Sequence, residues 1–484
     1  MPKNAVPHPG LDLARLALLS ILAITLYRIV LLAFSTADLF VDEAQYWIWG
    51  QNLDWGYYSK PPLIGWVLRA VTDVVGSSDV FWVRLPGPVL HMATALVLAG
   101  AAREFTDRTT AGFVGLAYVT MPSVAVGSFL ISTDTILMPF FAASAWIWLR
   151  LTRGPDLRLA VALGLCLGLG MMAKYAAVYF WMGAGLGAVF VREARIAWRD
   201  LAVAVGVFGL VFAPNVIWNL QNDLTTLSHT ADNVDWVRSG VALHADRAAE
   251  FLLAQFGVFG PVWFGAYLVG VFLAFRRGTW TQRWLVWMSA PILLLVTVQA
   301  LLSRAYANWA VTACVGVALL AIPLIWPRLR WLYWGGLVLN LTLTLAVPIA
   351  ATQTTTWRME KEGRLVLRRF AGRSEVSRHA VALARAKGVQ DIVADDRDML
   401  ADLFHTGRDS GLNIFAQPHD GHYPHYFAQK LAYPQGRDGP FLYLGTVGVP
   451  PCDPELVEEY ATPDGAYAGR TLRFYVAPPD CWER

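Results

Sequence analysis

Charge is scarce in this sequence. Asp, Glu, Lys and Arg make up only 15% of its 484 residues, against about 25% in a soluble globular protein. That shortage excludes an ordinary water-soluble enzyme and points to a chain with several membrane spans. A large excess of one sign of charge is missing as well. The formal net charge of +3 is too small to indicate a nucleic-acid partner. The chain has no glycine-rich phosphate loop, so it lacks that way of cradling a nucleotide. It also has no clear internal repeat, the mark of many transporters. Its one Asn-x-Ser/Thr match, Asn340-Leu341-Thr342, falls inside an apolar stretch.

What remains is apolar and aromatic. Hydrophobic residues make up 56% of the chain and include 21 tryptophans. Trp and Tyr collect at the two interfaces of a bilayer. A span needs roughly 20 residues, and about eleven segments qualify: 13–34, 80–100, 111–127, 135–150, 159–173, 175–191, 201–218, 250–275, 285–302, 309–326 and 331–350. The first follows the polar tail "MPKNAVPHPG". It is too long for a removed signal peptide and lacks a small-residue cleavage site, so it is expected to stay as the first span.

Arginines sort the connections. Arg103 and Arg108, Arg150 to Arg158, Arg192 to Arg199, Arg276 to Arg283, and Arg328 with Arg330 fall in alternate loops. The positive-inside rule places those turns and the N-terminus in the cytoplasm. Residues 35–79, 128–134, 219–249 and 303–308, and the chain after about 351, are then extracytoplasmic. From residue 352 the composition becomes charged, and "DIVADD", "GLNIFAQ", "FLYLGTV" and "LRFYVA" read as strands between turn residues. The expected organisation is a transmembrane domain over 1–351, carrying a first outer loop at 35–79, and a soluble α/β domain over 352–484. Cys452 and Cys481 both lie in the outer domain, where a disulfide between them is expected. Cys166 and Cys314 sit in apolar spans as packing residues.

The outer loops carry the chemistry. The stretch 41–66, "VDEAQYWIWGQNLDWGYYSKPPLIGW", opens with Asp42 and Glu43 and closes on Lys60 before two prolines. Acidic residues at a helix start also serve as caps, and a lysine near an interface can snorkel. Asp134 sits in a very short turn between apolar segments, where a carboxylate is costly and hence a functional candidate. Lys174 is a similar isolated charge. Arg304 and Tyr306 adjoin another span, and His229 lies in the polar loop "NLQNDLTTLSHTADNVDW". His419, His422 and His425, among Pro and Gly, read as a surface loop. Taken together, acidic residues, a rigidly presented lysine and further cations lie on one side of the membrane where loops meet it. That arrangement suits a substrate with a phosphate at the headgroup level and a lipid tail. A lysine would offset the charge of a departing phosphate, and a carboxylate could deprotonate an attacking hydroxyl.

The Asp-Glu pair followed by "YYSKPPLIGW" resembles the GT-C membrane glycosyltransferases. Within them it is similar to the branch of the aminoarabinose transferases that modify lipid A, their galacturonic-acid-transferring relatives and the protein O-mannosyltransferases. The resemblance covers the membrane region and the layout of the outer domain. It implies an extracytoplasmic active site, a polyprenyl-phosphate sugar as donor, and inversion at the anomeric carbon. By resemblance, Asp42 matches the first-loop acidic residue that catalyses or orients the acceptor, and Lys60 the lysine that contacts the polyprenyl phosphate. Asp134 matches the second-loop carboxylate, while Arg304 and Tyr306 take the place of later residues near the phosphate. One position departs from the pattern: the aminoarabinose branch often has a metal-binding Glu before the lysine, where this chain has Ser59. A divalent metal, with His229 as a ligand, is the one cofactor the resemblance raises, and Ser59 in place of the Glu counts against a tight site for it.

The resulting expectation is a polytopic α-helical membrane protein of GT-C type with a C-terminal extracytoplasmic α/β domain, in a bacterial inner membrane. It would move a sugar from polyprenyl phosphate to lipid A or another glycan. Asp42, Glu43 and Asp134 form the catalytic set, and Lys60, Arg304, Tyr306, Lys174, Tyr57 and Tyr58 the phosphate-binding set. The rival readings are a flippase for lipid-linked sugars and a protein O-glycosyltransferase of the same fold.

Overall fold

The computed structural model describes residues 12–234, 242–360, 362–419, 421, 423–446, 448–462 and 464–482. The chain divides into two compact units. One comprises the chain up to Val30 with Leu85–Val347, and the other Leu31–Arg84 with the chain from Pro348 onward. The first outer loop, expected with the transmembrane part, thus packs with the C-terminal residues.

The first unit is helical. Among the described residues, six helices are long and apolar enough to cross a membrane: Leu13–Ala33, Val80–Ala102, Trp198–Gln221, Trp280–Leu302, Ala307–Ile325 and Arg330–Thr352. The expected span 250–275 is instead a pair, Ala245–Phe259 and Pro261–Arg277, bent by 114°. Gly260 makes that bend, with φ +95°. It lies so close to Asn340 that a Cβ would come within 2.2 Å of the amide oxygen. Pro261 then starts the next helix, where its missing N–H costs nothing. The other four expected segments form shorter or less apolar helices. Segment 111–127 is split into Arg108–Val119 and Pro122–Gly127, and the rest are Thr133–Leu151, Leu157–Ala173 and Val178–Phe190. Side-chain caps set several starts, with Asp107, Ser132 and Asp156 each accepting backbone N–H groups of the helix that follows.

The second unit is α/β. Its five-stranded sheet has the order β2-β1-β3-β5-β4, with β1 Asp391–Ala394, β2 Asn413–Ala416, β3 Phe441–Gly445, β4 Glu455–Ala461 and β5 Thr471–Ala477. β1 pairs in parallel with both β2 and β3, while β5 runs antiparallel to β3 and β4. Four strands coincide with the four sequence runs that read as strands. The fifth, β4 "ELVEEYA", has an exposed and acidic pattern that hides it from hydrophobic alternation, as suits an edge strand. Val393, Phe441, Tyr443, Tyr475 and Cys481 pack into one core, with Cys452 and Trp482 against it. The Cys452–Cys481 disulfide closes that core.

The first loop is built into this unit. The Val41–Gln51 helix is buried on nearly every side, including Val41, Glu43, Ala44, Tyr46 and Trp49. Asp38 caps a helix more than 300 positions away: its carboxylate accepts from the Ser374 hydroxyl at 2.6 Å and from the Arg373 and Ser374 amides at 2.8 and 3.3 Å.

Candidate active site

Two neighbouring carboxylates of the first loop have opposite surroundings. Glu43, the third residue of its helix, accepts the Phe40 N–H at 2.9 Å, which ties down the helix start. It also faces Arg84, whose Nε and Nη2 reach its two oxygens at 3.0 and 2.7 Å. The two residues are 2% and 1% exposed. Arg84 further donates to the Ala37 and Asp38 carbonyls. Glu43, expected in the catalytic set, is closed to solvent here and bonded at both oxygens within the loop. Asp42 points the other way. Its side chain is 49% exposed, and its Oδ1 accepts from Nη2 of Arg397, whose Nε donates to Gln45 Oε1 at 2.8 Å.

Lys60 sits half-buried at the end of a turn closed by Tyr57 N–H on its carbonyl at 3.1 Å. Pro61 and Pro62 bar a helix through the lysine, and the next one starts at Leu63. Tyr57 stacks on Trp49 with ring centroids 4.7 Å apart. Its hydroxyl donates to the Trp49 carbonyl at 2.7 Å. Tyr58 donates to the Tyr423 carbonyl at 2.9 Å. Both tyrosines, expected in the phosphate-binding set, have their hydroxyls bonded to backbone carbonyls beside the turn that carries Lys60.

In the helical unit, Asp134 and Lys174 come together. The Lys174 ammonium donates to both oxygens of Asp134 at 2.7 and 2.8 Å, with side chains only 19% and 16% exposed. Asp134 lies in the first turn of Thr133–Leu151, and Lys174 ends Leu157–Ala173. Beside the lysine, Tyr175 donates to Asn215 at 2.8 Å and accepts from Asn219 at 3.1 Å. Arg304 and Tyr306 are exposed, and Tyr306 packs edge-on against Trp309. His229 lies on the Thr225–Val234 helix. Among the described residues, no three His, Cys, Asp or Glu side chains gather in a way that could hold a metal ion.

Several residues escaped the sequence reading. Arg84 pairs with Glu43, and Arg397 with Asp42. Both are single arginines with no local motif, but Arg397 follows a strand and a capping Asp396, a position where chemistry often sits in α/β folds. His425 is a correction: it was expected in a surface loop, yet it is 7% exposed. Its Nδ1 caps the short helix after it, accepting the Ala428 N–H at 3.1 Å. Burial pushes its pKa down to about 4, aided by the nearby His419 and Arg397 charges. His422 lies outside the described residues.

Comparison with known proteins places these residues in context. The model of the family described as dolichyl-phosphate-mannose-protein mannosyltransferase matches residues 59–218. Lipid A galacturonosyltransferase RgtD of Rhizobium johnstonii is 43% identical over 478 residues, covering 96% of this chain and 99% of that protein. Lipopolysaccharide core galacturonosyltransferase RgtA of the same organism is 30% identical over 42% of this chain and 41% of its own. Among solved structures, ArnT of Cupriavidus metallidurans bound to undecaprenyl phosphate superposes with TM-score 0.67 at 14% identity, covering 94% of this chain and 97% of that one. At that identity the likeness establishes the GT-C fold alone.

Proposed function

The chain belongs to the family of the Rhizobium lipid A galacturonosyltransferase and is a membrane glycosyltransferase, and from that premise we propose that it moves a galacturonosyl group from polyprenyl phosphate to lipid A. The observation that carries this reading is the 43% identity maintained over 99% of that relative. A polyprenyl-linked donor is supported by the shared fold with a structure that holds undecaprenyl phosphate. The site is proposed to face the periplasm of a bacterial inner membrane, with the N-terminus in the cytoplasm.

In this mechanism the bond from the anomeric carbon to the phosphate oxygen breaks, and its electron pair leaves with the polyprenyl phosphate. Lys60, held half-buried by its turn, offsets the charge that develops there. The acceptor oxygen bonds to the anomeric carbon from the opposite face. A hydroxyl acceptor would pass its proton to Asp42, the exposed member of the acidic pair. An acceptor phosphate oxygen is already anionic, and Asp42 would then position it. Glu43 holds the helix that carries Asp42. In the helical unit, Lys174 is assigned a phosphate-binding role with Asp134 fixing its ammonium group, and Arg304 and Tyr306 are kept as phosphate ligands.

The test uses purified protein in nanodiscs with polyprenyl-phosphate galacturonate, and with lipid A or an unrelated peptide as acceptor. Release of free polyprenyl phosphate that requires lipid A, and is lost in Lys60→Ala, is the expected result. Donor that crosses the bilayer intact would establish a flippase instead, and transfer to the peptide would establish a protein glycosyltransferase.

A further inference from the structure

Residues 395–398, "DDRD", leave the carboxyl end of β1 and open the Arg397–Thr406 helix. β1 leads to β2 on one side while β3 leads to β4 and β5 on the other. The carboxyl ends of β1 and β3 therefore form a topological switch point, the usual ligand crevice of such sheets. Three of the four charged side chains are occupied within the sheet domain. Asp395 accepts from the Thr446 N–H at 3.2 Å. Asp396 caps its helix through the Asp398 and Met399 amides. Asp398 faces Arg373 at 3.4 Å. Arg397 alone reaches the first-loop helix, to Gln45 and Asp42.

That contact is poorly suited to be a structural clamp. The Arg397 and Asp42 side chains are 38% and 49% exposed, and an exposed ion pair contributes little to stability. The first-loop helix is already held by the buried Glu43–Arg84 pair and by Trp47 against the His405 ring at 4.9 Å. The two bonds of Arg397 use Nε and Nη2, and Nη1 bonds to no described residue. Its planar fork therefore keeps a second edge available, next to the carboxylate assigned to the acceptor. A guanidinium edge of this kind matches a carboxylate in a two-pronged geometry. A galacturonosyl group differs from a galactosyl group in carrying such a carboxylate.

We propose that Arg397 reads the carboxylate of the transferred sugar through its Nη1–Nη2 edge, and so selects a uronic acid over its neutral counterpart. The inference rests on the galacturonosyl-transfer reading above. Asp42 and Gln45 hold the guanidinium in register, and the sheet domain contributes to substrate choice by delivering it.

The test measures kcat/KM for full-length protein in nanodiscs with two donors, polyprenyl-phosphate galacturonate and polyprenyl-phosphate galactose, and lipid A as acceptor. The quantity read is the ratio between the donors, which a general loss of activity does not move. Wild type should favour the uronate, and R397Q should lower the ratio by roughly 30-fold, the scale of a hydrogen bond to a charged group. R397K, which keeps the charge without the fork, should fall between them. A ratio that stays within about threefold of wild type in R397Q overturns the proposal, whatever the absolute rates. If wild type shows no measurable galactose transfer, the detection limit bounds its ratio, and R397Q must fall below that bound. Wild type that fails to use the uronate donor overturns the functional reading itself, before any variant is compared.

Discussion

Arg84 donates to both carboxylate oxygens of Glu43, at 3.0 and 2.7 Å, and the pair is almost completely closed to solvent. Desolvating two charges is expensive, and removing one partner leaves the other buried without compensation. Glu43→Ala is expected to destabilise the protein by about 3–5 kcal/mol. Thermal unfolding in detergent or nanodiscs measures it. A variant with unchanged stability and no turnover would return Glu43 to the catalytic set.

Asp42 is the half-exposed counterpart. With a hydroxyl acceptor, Asp42→Asn should lower kcat by roughly 100-fold or more, the usual weight of a general base. With a phosphate acceptor the same substitution should change kcat by less than about tenfold, because no proton need be removed. Single-turnover kinetics on lipid A substrates with and without the acceptor phosphate separates the two cases.

The Asp134–Lys174 pair is expected to be strongly coupled. Lys174→Ala and Asp134→Ala each leave a mostly buried charge without its partner, whereas the double variant leaves none. A double-mutant cycle on stability should show a coupling of about 1–3 kcal/mol, with the double variant more stable than the sum of the singles implies. A coupling near zero would show that solvent already screens the pair.

His405 makes stability depend on pH. It lies on the Arg397–Thr406 helix, and burial pushes its pKa down to about 4. Its Nε2 donates to the Ser78 carbonyl at 2.8 Å. That bond and Asp79 favour protonation, while Arg408 and Arg84 oppose it. Unfolded, the ring titrates near pH 6.5. Its contribution is therefore complete above about 6.5 and is lost as pH falls toward 4, on the order of 3 kcal/mol across that window. Asp402 works in the opposite sense. Burial raises its pKa to about 6, so its contribution is lost as pH rises from about 4 to 6. The two opposite slopes largely offset each other between about pH 4 and 6, so His405→Gln should leave stability rising as pH falls across that window, the Asp402 sign. An unchanged acid limb would show that His405 is not the group responsible.

Much of the protein was legible from local pattern. Apolar runs of spanning length need no partner to declare themselves, because the bilayer imposes their composition. The change of composition near residue 352 marked the start of the α/β region. Four strands were visible because their side chains are apolar and bounded by turn residues. The edge strand β4 was not, since an exposed edge carries charge instead of alternation. Gly260 shows a similar limit: the sequence offers Gly-Pro inside an apolar run, and only the close approach of Asn340 explains a bend of 114° there.

By itself the sequence determined the membrane class, the first-loop motif from Asp42 to Lys60, and the change to a charged, strand-bearing region near residue 352. Residue type and spacing along one chain are enough for those. Tertiary structure alone decided what each charge meets. Asp42 and Glu43 are adjacent and chemically near-equal, yet one is sealed against Arg84 and the other is left half-open to Arg397. Their helix turns successive side chains by about 100°, and what each then meets comes from residues 41 and 355 positions away. No local pattern encodes such a partner. Arg84 reaches Glu43 only when the segment after the first loop folds back on it, and Arg397 reaches Asp42 only once that loop has packed onto the sheet domain.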